Sequence, residues 1–313
     1  MATQKGTPRR APAPDATGPH LPLSSIPAVL LEAIRLAANE DASLNALAEA
    51  IMRDAALSAR ALALANSPFF GQRRSIETVE RALVTLGLRN VRTCLLTGAL
   101  MEALKNQHSS AIDMKEFWQE SLLRANIASA IAANVDDTLR SRAYLVSLLA
   151  DVAVPLLAKD DAAYAQKVRN VHACQVSVAA LEQASARLSH AHVASELCES
   201  WGLPSSLAEP IGRHHELPTE ARGKDRDALA WRIAYVAGNL PLARLEAFDP
   251  SLLDRASNWF GLSVESLEKT IEVGIEAFAA QAEAFSSVLP DDCSPEAILE
   301  VARSLGRLRA STQ

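Results

Sequence analysis

Apolar residues recur along this chain every three or four positions, with no convincing run at every second one. Leu30, Ile34, Ala37 and Ala38 form one stripe, Leu44, Leu47, Ala48 and Ile51 a second, and Leu57, Ala61, Leu64 and Ala65 a third. Each predicts an amphipathic helix with one face turned to a core. The punctuation agrees. Pro27 suits a first helical turn, and Ser43 and Asp54 can cap the helices that follow them by accepting from backbone N–H groups two or three residues on. The run from Met52 to Gly71, MRDAALSARALALANSPFFG, then breaks at Asn66-Ser67-Pro68. There, side-chain turn bonds compete with the helix and the proline biases Ser67 away from it. Ile76, Val79, Leu83 and Leu86 line the next face, and Gly87 stands where a left-handed C-terminal cap is wanted.

The second half continues in the same period. Asp113 and Glu116 make a capping box ahead of Phe117, Trp118, Leu122 and Ala125. Tyr144 to Leu157 is an apolar segment. Ser189 can cap HAHVASELCESWG, with Gly202 as its stop, and Pro204 opens a helix that ends in RHHE with His214 and His215. Leu229 to Leu240 is helical in pattern. Ser263 precedes a long amphipathic stretch with Leu267, Ile271, Ile275 and Phe278 on one face. Ser294 and Pro295 mark a last helix, bearing Ile298, Val301, Leu305 and Leu308, with Arg303, Arg307 and Arg309 suited to its C-terminal dipole. No period of roughly 20–50 residues repeats, which argues against a solenoid. The fold class expected is all-α.

Composition sharpens this picture. Of 313 residues 49% are hydrophobic, mostly Ala and Leu, and only 4% aromatic, which favours helix over sheet. A net charge of −6 argues against nucleic acid as a partner. The nearest basic cluster, Arg73 and Arg74 with Arg89 and Arg92, reads mainly as a solvated helix end, its other reading being an anion or partner-docking patch. Cys94, Cys174, Cys198 and Cys293 are isolated and read as buried thiols, not a disulfide or zinc framework. Trp118, Trp201, Trp231 and Trp259 read as core and rim. Residues 1–20 are rich in Ala, Pro and Thr, a flexible tail and not a signal peptide, and no apolar run is expected to approach the length needed to span a membrane. A cytoplasmic location follows as the expectation.

The block from Arg53 to Gly71 also resembles the HDOD signature, "RD-x-x-L…LANS-x-F-x-G", in order. Leu21 to Ile51 looks like that family's opening pair of helices, and Ser75 to Leu96 is similar to its helix–Gly–helix segment. The resemblance is strong from Leu21 to Met101 and continues more weakly to Tyr235. It implies a tail over 1–20 and an HDOD domain over 21–240, split into an N-terminal lobe (about 21–104) and a degenerate HD-like lobe (about 105–240). A C-terminal helical extension over 241–313 follows.

The second lobe looks like the HD superfamily of metal-dependent phosphohydrolases. That resemblance puts Glu120 at the first His position, Ala150 and Asp151 at the His-Asp pair, and Gly238 at the last Asp. Only Asp151 of the set survives, and a lone carboxylate lacks the ligand count for a catalytic metal. The HD-GYP branch of cyclic-di-GMP phosphodiesterases uses further histidines, including a His-His pair. His190, His214 and His215 stand in similar relative positions, although the GYP element is absent. A rebuilt site from Glu120, Asp151, His190, His214 and His215 would suit a divalent metal such as Mn, Fe or Zn.

Each of these residues has a plainer reading. His190 can be the first residue of a helix with its ring exposed, and His214 and His215 can answer a helix C-terminus. Asp151, amid apolar neighbours, needs a partner, for which one of these histidines or a helix-end amide would suffice. Asn66 and Ser67 are read as holding the loop shape. The expectation is a non-catalytic HDOD regulatory module for signal transduction, with no cofactor and no catalytic residue. It would act through a signalling protein partner or a small ligand, with no nucleic acid and no membrane; a homodimer through exposed apolar helix faces is an open option. The alternative is a metal-dependent phosphohydrolase acting on a nucleotide or cyclic dinucleotide. The two readings part on whether Glu120, Asp151, His190 and His214 converge on one point.

Overall fold

Capping residues place the helix starts where the sequence puts them. Ser43 accepts from the N–H of Ala46, Asp54 from Leu57, Asp113 from Lys115 and Glu116, and Ser189 from His192. Each satisfies donors that a helix start leaves open. The computed structural model describes residues 27–39, 41–66, 74–105, 110–174, 178–183, 189–218, 225–240 and 251–284. The expected tail, Ser67 to Arg73, Pro241, Cys293 and the helix from Ser294 lie outside them.

The described residues are helical, with no strand among them. The first lobe holds α1 (Ala28–Ala38), α2 (Leu44–Met52), α3 (Ala55–Ala65) and α4 (Val79–Leu104). The first three pack on α4 through the stripes named above, whose Ile34, Leu47, Ile51, Leu57 and Ala61 are buried. Asn66 closes the connection from α3 to α4: its Oδ1 accepts from the N–H of Ile76 at 2.7 Å and its Nδ2 donates to the Ile76 carbonyl at 2.9 Å. Gly87 interrupts α4 with φ +71° and ψ 163°, an extended positive-φ conformation and not the left-handed helical cap expected there, and the helix resumes beyond it.

The second lobe is built on α5 (Met114–Val135) and α6 (Arg140–Leu149), joined by a 3-10 turn over Asp137–Leu139. Then come α7 (Ala153–Asp160), α8 (Ala162–Cys174), α9 (Val178–Gln183), α10 (His190–Ser200), α11 (Ser205–Gly212) and α12 (Arg226–Asn239). Gly202, at φ +75°, ends α10. The N–H groups of Gly202 and Leu203 donate to the carbonyls of Glu199 and Cys198, and the chain reverses directly into α11. α13 (Ser251–Phe260) and α14 (Val264–Ala284) follow, and α14 lies along α5. Polar bonds accompany that packing: Asn126 donates to Gln281 at 2.7 Å, and Gln281 donates to the buried Tyr144 hydroxyl at 3.0 Å.

One expectation needs correcting. The segment Asp137–Asp160 does reach the length and apolar content of a membrane span, because a 3-10 turn, α6 and α7 run on almost without a break. Its apolar 18-residue window is 83% buried inside the fold, so here that apolar character serves the core. The tryptophans follow the pattern, with Trp118, Trp201 and Trp231 buried and Trp259 at the rim. Cys94 and Cys198 are free and buried, and burial pushes the Cys94 thiol up to about 12.

α14 approaches α5 closely because Gly274 has no side chain. A Cβ there would lie 2.6 Å from the Cα of Ile127, a backbone atom that cannot swing aside. Gly274→Ala is therefore expected to cost roughly 1–3 kcal/mol in chemical denaturation. An unchanged midpoint would mean that α14 does not pack this tightly.

Candidate functional site

Asp151 lies in the turn between α6 and α7, where its carboxylate is carried into the second lobe with little exposure. Three elements answer it. Arg124, from the middle of α5, donates to Oδ2. His190, the first residue of α10, places Nε2 at 3.1 Å from Oδ1, and His214, just past α11, places Nε2 at 3.4 Å from the same oxygen. Burial pushes the Asp151 carboxyl up, but the Arg124 charge and the two imidazoles outweigh it and hold the group well below the usual carboxylate range.

The imidazoles are themselves oriented. His190 Nδ1 lies 2.8 Å from Glu182 Oε2, and the His190 backbone N–H donates to both oxygens of that carboxylate at 3.0 Å. Glu182, from α9, accepts in turn from the Tyr164 hydroxyl of α8 at 2.7 Å. His214 Nδ1 lies 2.7 Å from the Ile211 carbonyl, which can only accept, so Nδ1 carries a proton and Nε2 is the atom turned toward Asp151. His215 brings its Nε2 to 3.2 Å from His190 Nε2, and His190 and His214 stand 3.3 Å apart through the same atoms.

The protonation states follow from this frame. Burial works against a charge on His190, yet its bonds to Asp151 and Glu182 raise it to about 9. Burial and the charges of His214 and His190 hold His215 well below 6.5, so it stays neutral. His190 is thus an imidazolium between two carboxylates, with the Arg124 guanidinium on the far side of Asp151.

Of the residues expected to build a site, Asp151, His190, His214 and His215 converge: one donor atom from each lies within 4.8 Å of the others. Glu120 does not join them. It pairs with Arg124, Nη2 to Oε2 at 3.5 Å, and touches the cluster only through that guanidinium. The exposed reading of His190 is wrong: it is the first residue of its helix, but its ring is 0% exposed because α9 and the α6–α7 turn close over it. Gly238 does border the cluster, since a Cβ there would sit 3.1 Å from His214 Cδ2. Arg124, Glu182 and Tyr164 were missed in the sequence; the one available signal was Arg124 falling four residues after Glu120 on one helix face.

The spacing of the donor atoms bears on a metal. Bonds of about 2.0–2.1 Å to a tetrahedral ion set ligand atoms about 3.3 Å apart. The four separations given above run from 3.1 to 3.4 Å. Three imidazole nitrogens and one carboxylate oxygen, all within 4.8 Å of one another, form a group that could hold a divalent ion of the Zn, Fe or Mn kind. Outer partners that fix both rings, Glu182 and the Ile211 carbonyl, are of the type that orients metal-binding histidines.

Comparison with known proteins now places the chain. The HDOD domain family model matches residues 23–217. The chain belongs to the HDOD family. An uncharacterized protein of Treponema pallidum (strain Nichols) is 25% identical over 198 residues, 63% of this chain. That match spans only 38% of the relative's own length. Among solved structures, an HDOD domain protein of unknown function from Geobacter sulfurreducens shares 22% identity at TM-score 0.60, covering 91% of each chain. A protein of Shewanella amazonensis SB2B, provisionally named a phosphohydrolase, shares 22% identity at TM-score 0.63 over 85% of this chain and 94% of its own. One from Marinobacter aquaeolei VT8, provisionally named a signal transduction protein, shares 20% at TM-score 0.66 over 83% and 58%. At these identities the likeness is one of fold: an all-helical HDOD architecture.

In metal-free protein, His190 lies above its ordinary 6.5 when folded, so the stability it adds is complete below that pH and is lost as pH rises through about 9. Ring NMR should show His190 titrating near the upper value, and Glu182→Gln should move the midpoint downward. A wild-type midpoint at 6.5 would contradict this hydrogen-bond frame.

Proposed function

We propose that this HDOD protein is a non-catalytic, cytoplasmic regulatory module that acts in signal transduction through a protein partner or a small ligand. One arrangement carries the reading: Arg124 sits on Asp151, the single residue retained from the HD ligand set. Its guanidinium cannot lose its proton, and it takes the outward carboxylate oxygen that a second metal of a hydrolytic pair would need. Glycine at the last Asp position and Glu120 turned onto the same guanidinium support it further. The reading treats the cluster as a polar knot that fixes helix positions, with residues 21–240 as the domain and 241–313 as its extension.

A second reading, a metal-dependent phosphohydrolase with a remodelled site acting on a nucleotide or cyclic dinucleotide, is favoured by the donor spacing alone. Asp151, His190, His214 and His215 would hold one ion, and such an ion lowers the pKa of a bound water and polarises a phosphoryl oxygen. To bind it, His190 must give up its Nε2 proton, so loading at neutral pH would release acid.

Elemental mass spectrometry after incubation with manganese, iron or zinc, run beside hydrolysis assays on a phosphodiester and cyclic dinucleotides, separates the two. The regulatory reading expects no turnover above blank with any metal, even where an ion is retained. Metal-dependent turnover that disappears in a folded Asp151→Asn variant would overturn it.

A further inference from the structure

Among the described residues Arg124 is the permanent cation in contact with the Asp–His cluster, and its side chain is gripped unevenly. Nη1 donates to Asp151 Oδ2, and Nη2 lies 3.5 Å from Glu120 Oε2, one helical turn earlier on α5. The remaining donor, Nε, is buried without an acceptor. A guanidinium locked onto a carboxylate commonly engages it through two parallel bonds. This one is shared between two carboxylates, with a second acceptor beside the first, so a small change in side-chain torsion moves it from one toward the other.

The charges around it are unequal as well. Glu120, Asp151 and Glu182 bring three carboxylates to the neighbourhood of one guanidinium. With neutral imidazoles, negative charge then exceeds positive by the amount that a divalent ion carries. Screening is weak, since the side chains of His190 and His214 are 0% exposed, that of Asp151 16% and that of Arg124 19%. His190 and His214 meet Asp151 at Oδ1, while Arg124 takes Oδ2. The imidazoles and the guanidinium thus draw on the same carboxylate from opposite sides.

We infer that the small ligand of the module is one divalent metal ion, held by Asp151, His190, His214 and His215, and that Arg124 sets its affinity as a tethered cation competing for the Asp151 carboxylate. The choice of ligand rests on the regulatory reading of this site. Arg124 weakens the hold on an ion in two ways: it draws electron density toward Oδ2, and it places a like charge beside the ion. Glu120 acts in the opposite sense, because it accepts part of the guanidinium and so relieves Asp151. Arg124 is a tuning residue here, touching the ligand set and not the ion. Its presence turns a donor set that would otherwise retain an ion into one whose occupancy follows supply, which is what a regulatory site requires.

The test is isothermal titration calorimetry of the chelator-treated full chain with manganese and, in parallel, zinc, at fixed pH and ionic strength, with thermal unfolding of the same samples. Wild type should bind one ion per chain. Arg124→Met should bind at least about tenfold tighter, and Glu120→Gln at least about threefold weaker, because the guanidinium then falls to Asp151 alone. Arg124→Lys, which keeps the charge, should stay nearer to wild type than Arg124→Met does. The unfolding midpoint of Arg124→Met should rise more on adding metal than that of wild type, since the ion supplies the counter-charge the variant lacks. No saturable binding by wild type, Arg124→Met no tighter than wild type, or unchanged affinity in Glu120→Gln would each overturn the inference. The last holds even if Arg124→Met does not fold, as Glu120 is partly exposed and its variant keeps the Arg124–Asp151 pair. Any of these leaves a regulatory module with another ligand. Metal-dependent turnover, by contrast, would overturn the module and leave the order of affinities standing.

Discussion

The second lobe of this protein is organised by one buried carboxylate. Asp151 is carried inward by the α6–α7 turn, and an isolated charge in that place would cost several kcal/mol. The fold meets the cost with Arg124 from α5 on one oxygen and His190 and His214 from the α10–α11 region on the other. Four separate stretches of chain must therefore arrive together. The apolar stripes bring helices into contact, but they tolerate sliding; a shared carboxylate does not.

The order spreads outward from there. His190 is held by Glu182 and Glu182 by Tyr164, so α8 and α9 are tied to the same centre through bonds of 2.7 to 3.0 Å. His190, Glu182 and Tyr164 each have a buried partner, the condition under which a polar network specifies a structure instead of weakening it. The charges alternate from Arg124 through Asp151 and His190 to Glu182. That alternation lets His190 stay protonated where burial alone would strip it.

Much of the fold was legible in the sequence because helix periodicity and caps are local. Ser43, Asp54, Asp113 and Ser189 cap where they should, Gly202 takes the positive φ expected of a helix stop, and Asn66 holds its loop. Asp151 was legible as a residue in need of a partner. The histidines were candidates for that role, and His190 and His214 fill it; Arg124 was not foreseen, because it lies 27 residues away and no local pattern links them. Glu182 and Tyr164 were silent for the same reason, and His190 was expected at the surface because a helix start gives no hint of what covers it. Arg92 was grouped with exposed arginines by nearness in sequence, while the fold turns it to a buried seam. Local chemistry writes the elements; long-range charge pairing writes the site.

Arg124 is a permanent internal counter-ion for Asp151, and a double-mutant cycle measures that directly. Denaturation of the wild type, Arg124→Met, Asp151→Asn and the double variant, all in chelator-treated buffer, gives the coupling free energy. Each single change should cost about 3–5 kcal/mol and the double change far less than their sum, since the partner is no longer stranded. Additive costs, with coupling near zero, would mean that the pair does not hold the lobe together and would contradict the account.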